Sequence, residues 1–403
     1  MNPDKFHPEL KTGRLVRADF HRMNVLGGRF EEIHEEGWVF IPDPMPDLEQ
    51  ILLQARLLLP LHEQATALLG RLDGKFQDTP GGVNINPWLL YQPLRVREAR
   101  LSSKIENTIA SASEIQTAAL IPSERSEPLE VRNYMRAIEM GAAYEGAINE
   151  TMIRALHEEL LRDVPGAEKK YPGDYRPNQA MIGDEDTPFS EARFVPSPSS
   201  EVPMLMQQLV EYLRNPPEGM PILFAAAIIH YQFESIHPFA DGNGRLGRML
   251  ITLSLCNNTL LSKPLIYPSG YINKHKQRYY KLLFKVSTHG EWASWIQYFL
   301  EVVIAEAQGT IDRINRLLEL RQSYYDRVEN KSLGKQFFDQ IDYLFEQSVV
   351  TVSMVHERIG GTKQTARNYI DKMLESGILV LLMKKGQTNY YSAPEIHQIA
   401  DED

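Results

Sequence analysis

Residues 237–248 read His-Pro-Phe-Ala-Asp-Gly-Asn-Gly-Arg-Leu-Gly-Arg, which places one histidine, one acid, three glycines and two arginines within twelve positions. Gly242 and Gly244 bracket Asn243, so the backbone can take positive φ values and approach an anion with no Cβ in the way. An apolar run, RMLITLSL, comes directly after and reads as a helix. The glycines therefore stand at a helix N-terminus, where orphan amides and the helix dipole attract phosphate. Arg245 and Arg248, three apart, leave the first turn on one side and can clamp polyphosphate oxygens. Asp241 offers a hard oxygen suited to Mg²⁺. His237, on the approach to the loop, can take a proton from an incoming hydroxyl. Singly, each residue has a plainer reading: Gly-Asn-Gly is a common turn, a lone histidine is usually structural, and two arginines opening a helix can simply be solvated. Their order and density point to a site for a nucleotide triphosphate.

Moving outward, residues from about 95 to 310 are dominated by helical patterns such as VRNYMRAIEMGAAYEGA, VPMLMQQLVEYLRN and PILFAAAIIHYQFESI. One interruption, PGDYRPNQAMIGDEDTPFSEARFVPSP, is the hairpin candidate. Residues 1–94 read as an N-terminal helical lead-in, 95–310 as the catalytic core, 311–334 as a helical linker and 335–403 as a further unit. In that last unit three short helical patterns precede LVLLMKKGQTNYYSA, two strand-like runs around a Lys-Lys-Gly turn. Three helices with a two-stranded wing describe a winged helix-turn-helix domain. The fold expected is mainly α.

The 403-residue chain carries a formal charge of −10, which argues against nucleic acid wrapped along its length. Its N-terminus, MNPDKFHPELKTGR, lacks a basic segment followed by an apolar run, so the expectation is a cytoplasmic protein without a membrane anchor. The single cysteine, Cys256, sits in an apolar stretch and can form no internal disulfide. A GxxxxGK(S/T) loop, an HExxH pair and a GxSxG elbow are all absent from the sequence, which removes P-loop ATPases, zinc hydrolases of that type and α/β-hydrolases.

The run at 237–248 fills every fixed position of HxFx(D/E)GNGRxxR, the signature of the Fic family, and the chain resembles that family over about 95–310. The resemblance implies a helical core with a small flap hairpin, and Mg²⁺-dependent transfer of AMP from ATP to Ser, Thr or Tyr hydroxyls of proteins. It makes His237 the base, Phe239 the anchor of the loop, and Asp241 the Mg²⁺ ligand. Asn243 with the amides of Gly242 and Gly244 would bind the α- and β-phosphates, Arg245 the β-phosphate region and Arg248 the γ-phosphate. Leu246 and Gly247 fall within the same nucleotide-binding stretch. Doc toxins, a branch that acts as kinases, replace the second glycine with lysine, so Gly244 favours AMP transfer.

A second segment, LSSKIENT at 101–108, places Ser102 and Glu106-Asn107 at the spacing (S/T)xxxE(G/N), which matches the inhibitory motif of Fic proteins. The same residues also read as a Ser103–Glu106 capping box that would start a helix. Under the first reading, Glu106 pairs with Arg248 and denies the γ-phosphate its clamp. The flap edge around Gln179–Gly183 is suited to holding an extended target segment by strand addition. Tyr271, Asn273 and Tyr280, in GYINKHKQRYYKLL, are candidates for nucleoside contacts, against the plainer reading of aromatic core residues.

In the C-terminal unit, Lys363, Gln364, Arg367 and Asn368 would open a recognition helix, with Lys384 and Lys385 on the wing. Acidic neighbours including Asp339, Asp342, Glu357, Asp371 and Glu375 offset them, which favours protein docking, dimerisation or a scaffold that brackets the catalytic core over DNA binding. The alternatives left open are removal of AMP by the same site, use of another nucleotide, and a winged-helix regulator with a vestigial core. The target, self-modification and homodimer formation stay open as well.

Overall fold

The computed structural model of the protein describes residues 1–10, 12–26, 29–77, 88–108, 110, 111, 114, 115, 117, 126–183, 188–328 and 333–402. Apolar positions recurring every three to four residues make most of this chain helical. In order, the elements are strands β1 (Gly13–Leu26) and β2 (Arg29–Pro42), then helices α1 (Leu48–Ala55), α2 (Leu59–Gln77), α3 (Trp88–Ile105), α4 (Glu127–Ala142) and α5 (Glu150–Leu160). They continue with α6 (Val202–Arg214), α7 (Ile222–Ile236), α8 (Asn243–Asn257), α9 (Ser269–Lys274), α10 (Lys276–His289) and α11 (Trp292–Arg327). The C-terminal unit comprises α12 (Lys335–Glu346), β3 (Val349–Val350), α13 (Val352–Ile359), α14 (Lys363–Glu375), β4 (Val380–Lys385), β5 (Thr388–Ser392) and α15 (Pro394–Asp401).

The fold centres on α7, which buries thirteen of its fifteen residues and packs against α6, α8 and α11. A helix buried on nearly every side is a core helix, and it therefore delivers the residue beyond its C-terminus, His237, to a defined place. Around it, α3 packs on α4, α9 and α12, and so joins the core to the C-terminal unit. An ion pair from Arg100 to Asp401 and hydrogen bonds from Arg313 to the Glu402 carbonyl fasten the end of α15 to α3 and α11. The C-terminal sheet has the order β3-β5-β4 and is antiparallel.

Two boundaries differ from those read in the sequence. Gly13–Pro42, placed there in a helical lead-in, forms a two-stranded antiparallel ribbon with Gly13 opposite Pro42. Among the residues whose burial is described, its base is buried at Val39, Phe40 and Ile41. The boundary read at residue 310, between core and helical linker, falls inside α11, which runs unbroken for 36 residues. The hairpin candidate at 172–198 is reduced, among the described residues, to an antiparallel bridge between Ile182 and Phe194.

Candidate active site

α7 ends at His237, a non-glycine residue in the left-handed region with φ 52° and ψ 61°. Gly242 then takes φ 82° as the N-cap of α8, a conformation that glycine alone adopts freely. The four residues between the two corners are held from inside. The Asn243 side chain accepts from the Phe239 amide at 2.9 Å and donates to its carbonyl at 2.7 Å. Phe239 is fully buried and stacks on His157 with ring centroids 3.8 Å apart. The Gly173 amide donates to His157 Nδ1, so Nε2 carries the proton and donates to the Asp241 carbonyl at 2.9 Å. Burial keeps that ring neutral by pushing its pKa down to about 4.

Two guanidiniums rise from the first turns of α8. Arg245 bonds Glu130 at 2.6 Å and lies 3.5 Å from Asp241, and it is 2% exposed. Arg248 is equally buried and donates three times onto the end of α3: to Ser102 Oγ at 3.1 Å, to the Ser102 carbonyl at 2.9 Å and to Glu106 Oε1 at 2.8 Å. Burial alone would weaken the Arg248 charge, but the Glu106 carboxylate outweighs it and raises the pKa above the ordinary arginine value. A Cβ on Gly244 would collide with Glu106, so glycine at 244 is what lets the carboxylate lie against the loop. Ser103 and Glu106 stand at the C-terminal end of α3, which removes the capping-box reading of a helix start. Asn107 closes the helix in the left-handed region, with φ 66°, while the Thr108 amide returns to the Ser103 carbonyl at 3.0 Å.

His237, Gly244, Arg248 and Glu106 line one cleft of about 450 Å³, together with Ile182 and Gly183 from the flap and Tyr279, Tyr280, Leu283 and Phe284 from α10. Its lining mixes cations, Arg193, Arg248 and Lys276, with the rings of Phe194, Tyr280 and Phe284, and both Arg193 and Lys276 stand over the Tyr280 ring, at 5.0 and 5.9 Å. Burial, followed by the Arg176 charge, lowers the His237 pKa to about 4 against the pull of Glu106, the Glu234 carbonyl and Asp241. The imidazole is therefore neutral and able to accept a proton across the physiological range. Burial has the opposite sign for Glu234 on the same cleft wall, raising its carboxyl to about 7.

Burial raises the Asp241 carboxyl, but Arg245 and Lys170 outweigh it and leave the group ionised, with Lys170 Nζ at 2.5 Å from Oδ2. Among the described residues no group of three or more His, Cys, Asp or Glu side chains is placed to hold an ion. One ionised carboxylate at the mouth of a phosphate-sized loop fits Mg²⁺, which takes the rest of its shell from phosphates and water.

Five of the residues singled out in the sequence stand differently from the rest. The Asn243 side chain is spent on Phe239, which leaves its backbone N–H at the helix start as the group able to face phosphate. Leu246 is fully buried in the core and Gly247 packs against Phe233 and Glu234, and neither lines the cleft. Tyr280 lines the cleft, but Asn273 does not. Tyr271 does not line it either; its hydroxyl turns to Glu301 at 3.4 Å. His157, Lys170, Arg176, Glu130 and Glu234 escaped sequence reasoning. Only Glu234, three residues before His237 in the last turn of α7, carried a local signal.

The chain matches the model described as Fic/DOC family over residues 147–255 and that described as Fic/DOC family N-terminal over 59–143. The chain carries a Fic/DOC domain. Its α3 and its 237–248 loop fall within the two matched stretches. Among curated relatives, a probable protein adenylyltransferase of Aquifex aeolicus is 32% identical over 179 residues, covering 42% of this chain and 50% of that one. A protein named protein adenylyltransferase Fic from Drosophila ananassae is 28% identical, covering 44% of this chain and 32% of that one. The chain thus spans half or less of the length of these curated relatives. A solved Fic family protein from Desulfovibrio desulfuricans G20 shares the fold, with a TM-score of 0.51 and 22% identity over 83% of this chain and 96% of that one. Among the described residues, no helix is long and apolar enough to cross a membrane.

Proposed function

We propose that this Fic domain transfers AMP from ATP to hydroxyl side chains of proteins, and that Glu106 holds it in an inhibited state. The carrying observation is that His237, Gly244 and Arg248 share one cleft in which Glu106 occupies the guanidinium. In the forward step His237 takes the proton of the target hydroxyl. The hydroxyl oxygen then bonds the α-phosphorus, and the bond from that phosphorus to the bridging oxygen breaks, releasing pyrophosphate. Asp241 would hold Mg²⁺, which neutralises phosphate charge when bound. Gly244 in the first turn of α8 lines the cleft and its N–H suits a phosphate, while the rings of Phe194, Tyr280 and Phe284 in the same lining suit the nucleoside. Arg245, held by Glu130 outside that lining, would reach only the phosphate end.

The γ-phosphate needs Arg248, and Arg248 is engaged three times by Ser102 and Glu106. A nucleotide entering with Glu106 in place would lose that clamp and present its α-phosphate off the line of attack. Strand addition of the target along the flap is supported by how the flap arms are already paired. The Val195 carbonyl accepts from Phe40 of β2, and the arm at Ile182 and Gly183 faces the cleft. The C-terminal unit, read as a winged helix, presents Lys363, Gln364, Arg367 and Asn368 exposed, and we assign it to docking.

The test is transfer of label from α-phosphate-labelled ATP with Mg²⁺. The Glu106→Gly protein should label itself or proteins of a lysate, and addition of His237→Ala should abolish it. Labelling by Glu106→Gly no stronger than by the parent would overturn the inhibition.

A further inference from the structure

Arg176 is 3% exposed, and among the described residues no carboxylate pairs with it. A buried guanidinium without an acid is costly unless every N–H finds an acceptor and the position needs the charge or the fork. Here the acceptors are all main-chain carbonyls, drawn from two separate parts of the site. Nε donates to the His237 carbonyl at 2.8 Å, and one terminal nitrogen reaches the Ile236 carbonyl at 3.5 Å. These are carbonyls at the C-terminus of α7 that no further helical turn can satisfy, and a cation at that end also meets the negative pole of the helix. The remaining donors go to the flap: to the Asn178 carbonyl at 2.9 Å on the arriving arm and to the Ser197 carbonyl on the departing arm. The Arg176 amide adds a bond to the Pro238 carbonyl at 2.9 Å, and the Gln179 side chain ties the same two arms through the Pro196 carbonyl at 2.8 Å.

The strained corner at His237 and both arms of the flap are thus fastened to one side chain. A left-handed non-glycine residue persists only where its surroundings over-determine it, and Arg176 supplies that constraint. We propose that Arg176 is a positioning residue that fixes the flap, and the target hydroxyl lying on it, at a set distance from His237. This rests on the reading of the site as an AMP transferase whose flap presents the target. Arg176 touches neither reacting atom. It acts through the placement of His237 and through its charge, which opposes protonation of the imidazole alongside burial, against Glu106, Asp241 and the Glu234 carbonyl.

Lysine at 176 keeps the charge and loses the fork, whereas methionine loses both, so the two variants separate the two roles. Both are made in the Glu106→Gly background. Labelling of the protein and of a lysate from α-labelled ATP is monitored from pH 4 to 8, with binding of a non-hydrolysable ATP analogue and amide hydrogen exchange measured beside it. Both variants should label at least about tenfold more slowly than the background, since misplacing a reactant is what they do. Analogue binding should stay within about twofold, because no nucleotide contact is touched. Exchange should quicken at 178–183 and 188–197 while α8 stays protected. The acid limb of the rate should move upward in pH for Arg176→Met alone. Labelling within about twofold of the background would overturn the proposal, as would analogue binding that falls in step with the rate. A background protein that does not label at all would instead sink the transferase reading, and the exchange data alone would then decide whether Arg176 holds the flap.

Discussion

Arg245 and Arg248 lie three residues apart on one helix, are equally buried, and each bonds a glutamate, yet the two partners differ in kind. Glu130, the partner of Arg245, sits in the first turn of α4 with its side chain 13% exposed. Glu106, the partner of Arg248, comes just after the last residue of α3 and is 36% exposed, at a chain corner made by Asn107. A pair sunk in two packed helices can break only at the cost of leaving a buried charge, whereas a carboxylate at a helix end can swing into solvent and stay hydrated. Under the proposed function, similar chemistry makes a fixed brace at Arg245 and a releasable catch at Arg248.

Substitution of the two glutamates should therefore move activity in opposite directions. Glu106→Gly frees a transition-state donor and is expected to raise AMP transfer by about 10²-fold, the usual weight of one such group. Glu130→Gln unbraces Arg245 and should lower the rate of the Glu106→Gly protein by about tenfold, through a weakened charged hydrogen bond. Steady-state labelling rates read both, and a Glu130→Gln protein that gains activity would erase the distinction. Ser102→Ala, which removes one neutral acceptor from the catch, should raise the parent rate only about threefold.

Proton linkage offers a smaller and independent check. His157 and His237, each at about 4, and His230, at about 3, are held neutral chiefly by burial, below the ordinary histidine value. The unfolded chain binds more protons than the folded one between those values and about 6.5, so stability rises with pH through that window. The contribution is complete above about 6.5 and is lost as the pH falls toward 4. Thermal melts should shift down between pH 7 and 5, and the shift should shrink when His230 is replaced by glutamine, which removes one buried titrating ring.

The loop at 237–248 was legible because its chemistry is local: glycines, asparagine and arginines act within a single turn-and-helix unit. Ser102 and Glu106 were legible as a short spacing, although their placement at a helix end rather than a start needed the fold. Glu130, His157, Lys170 and Arg176 were not legible, since they join the loop from 61 to 115 residues away and only packing brings them there. The N-terminal ribbon was missed for another reason. Charged residues interrupt the apolar alternation in the sequence, and the signal that could have found it is the dipeptide Gly-Gly at 27–28 between two runs, RADFHRMNVL and RFEEIHEEGWVFIP.

The most direct test of the releasable catch tracks label from α-phosphate-labelled ATP and Mg²⁺ in three proteins: the parent, Glu106→Gly, and Glu106→Gly with His237→Ala. Strong labelling by the single variant, with a weak parent and a blank double variant, is the predicted result. Equal labelling by parent and Glu106→Gly would contradict it, because the carboxylate on Arg248 would then restrain nothing.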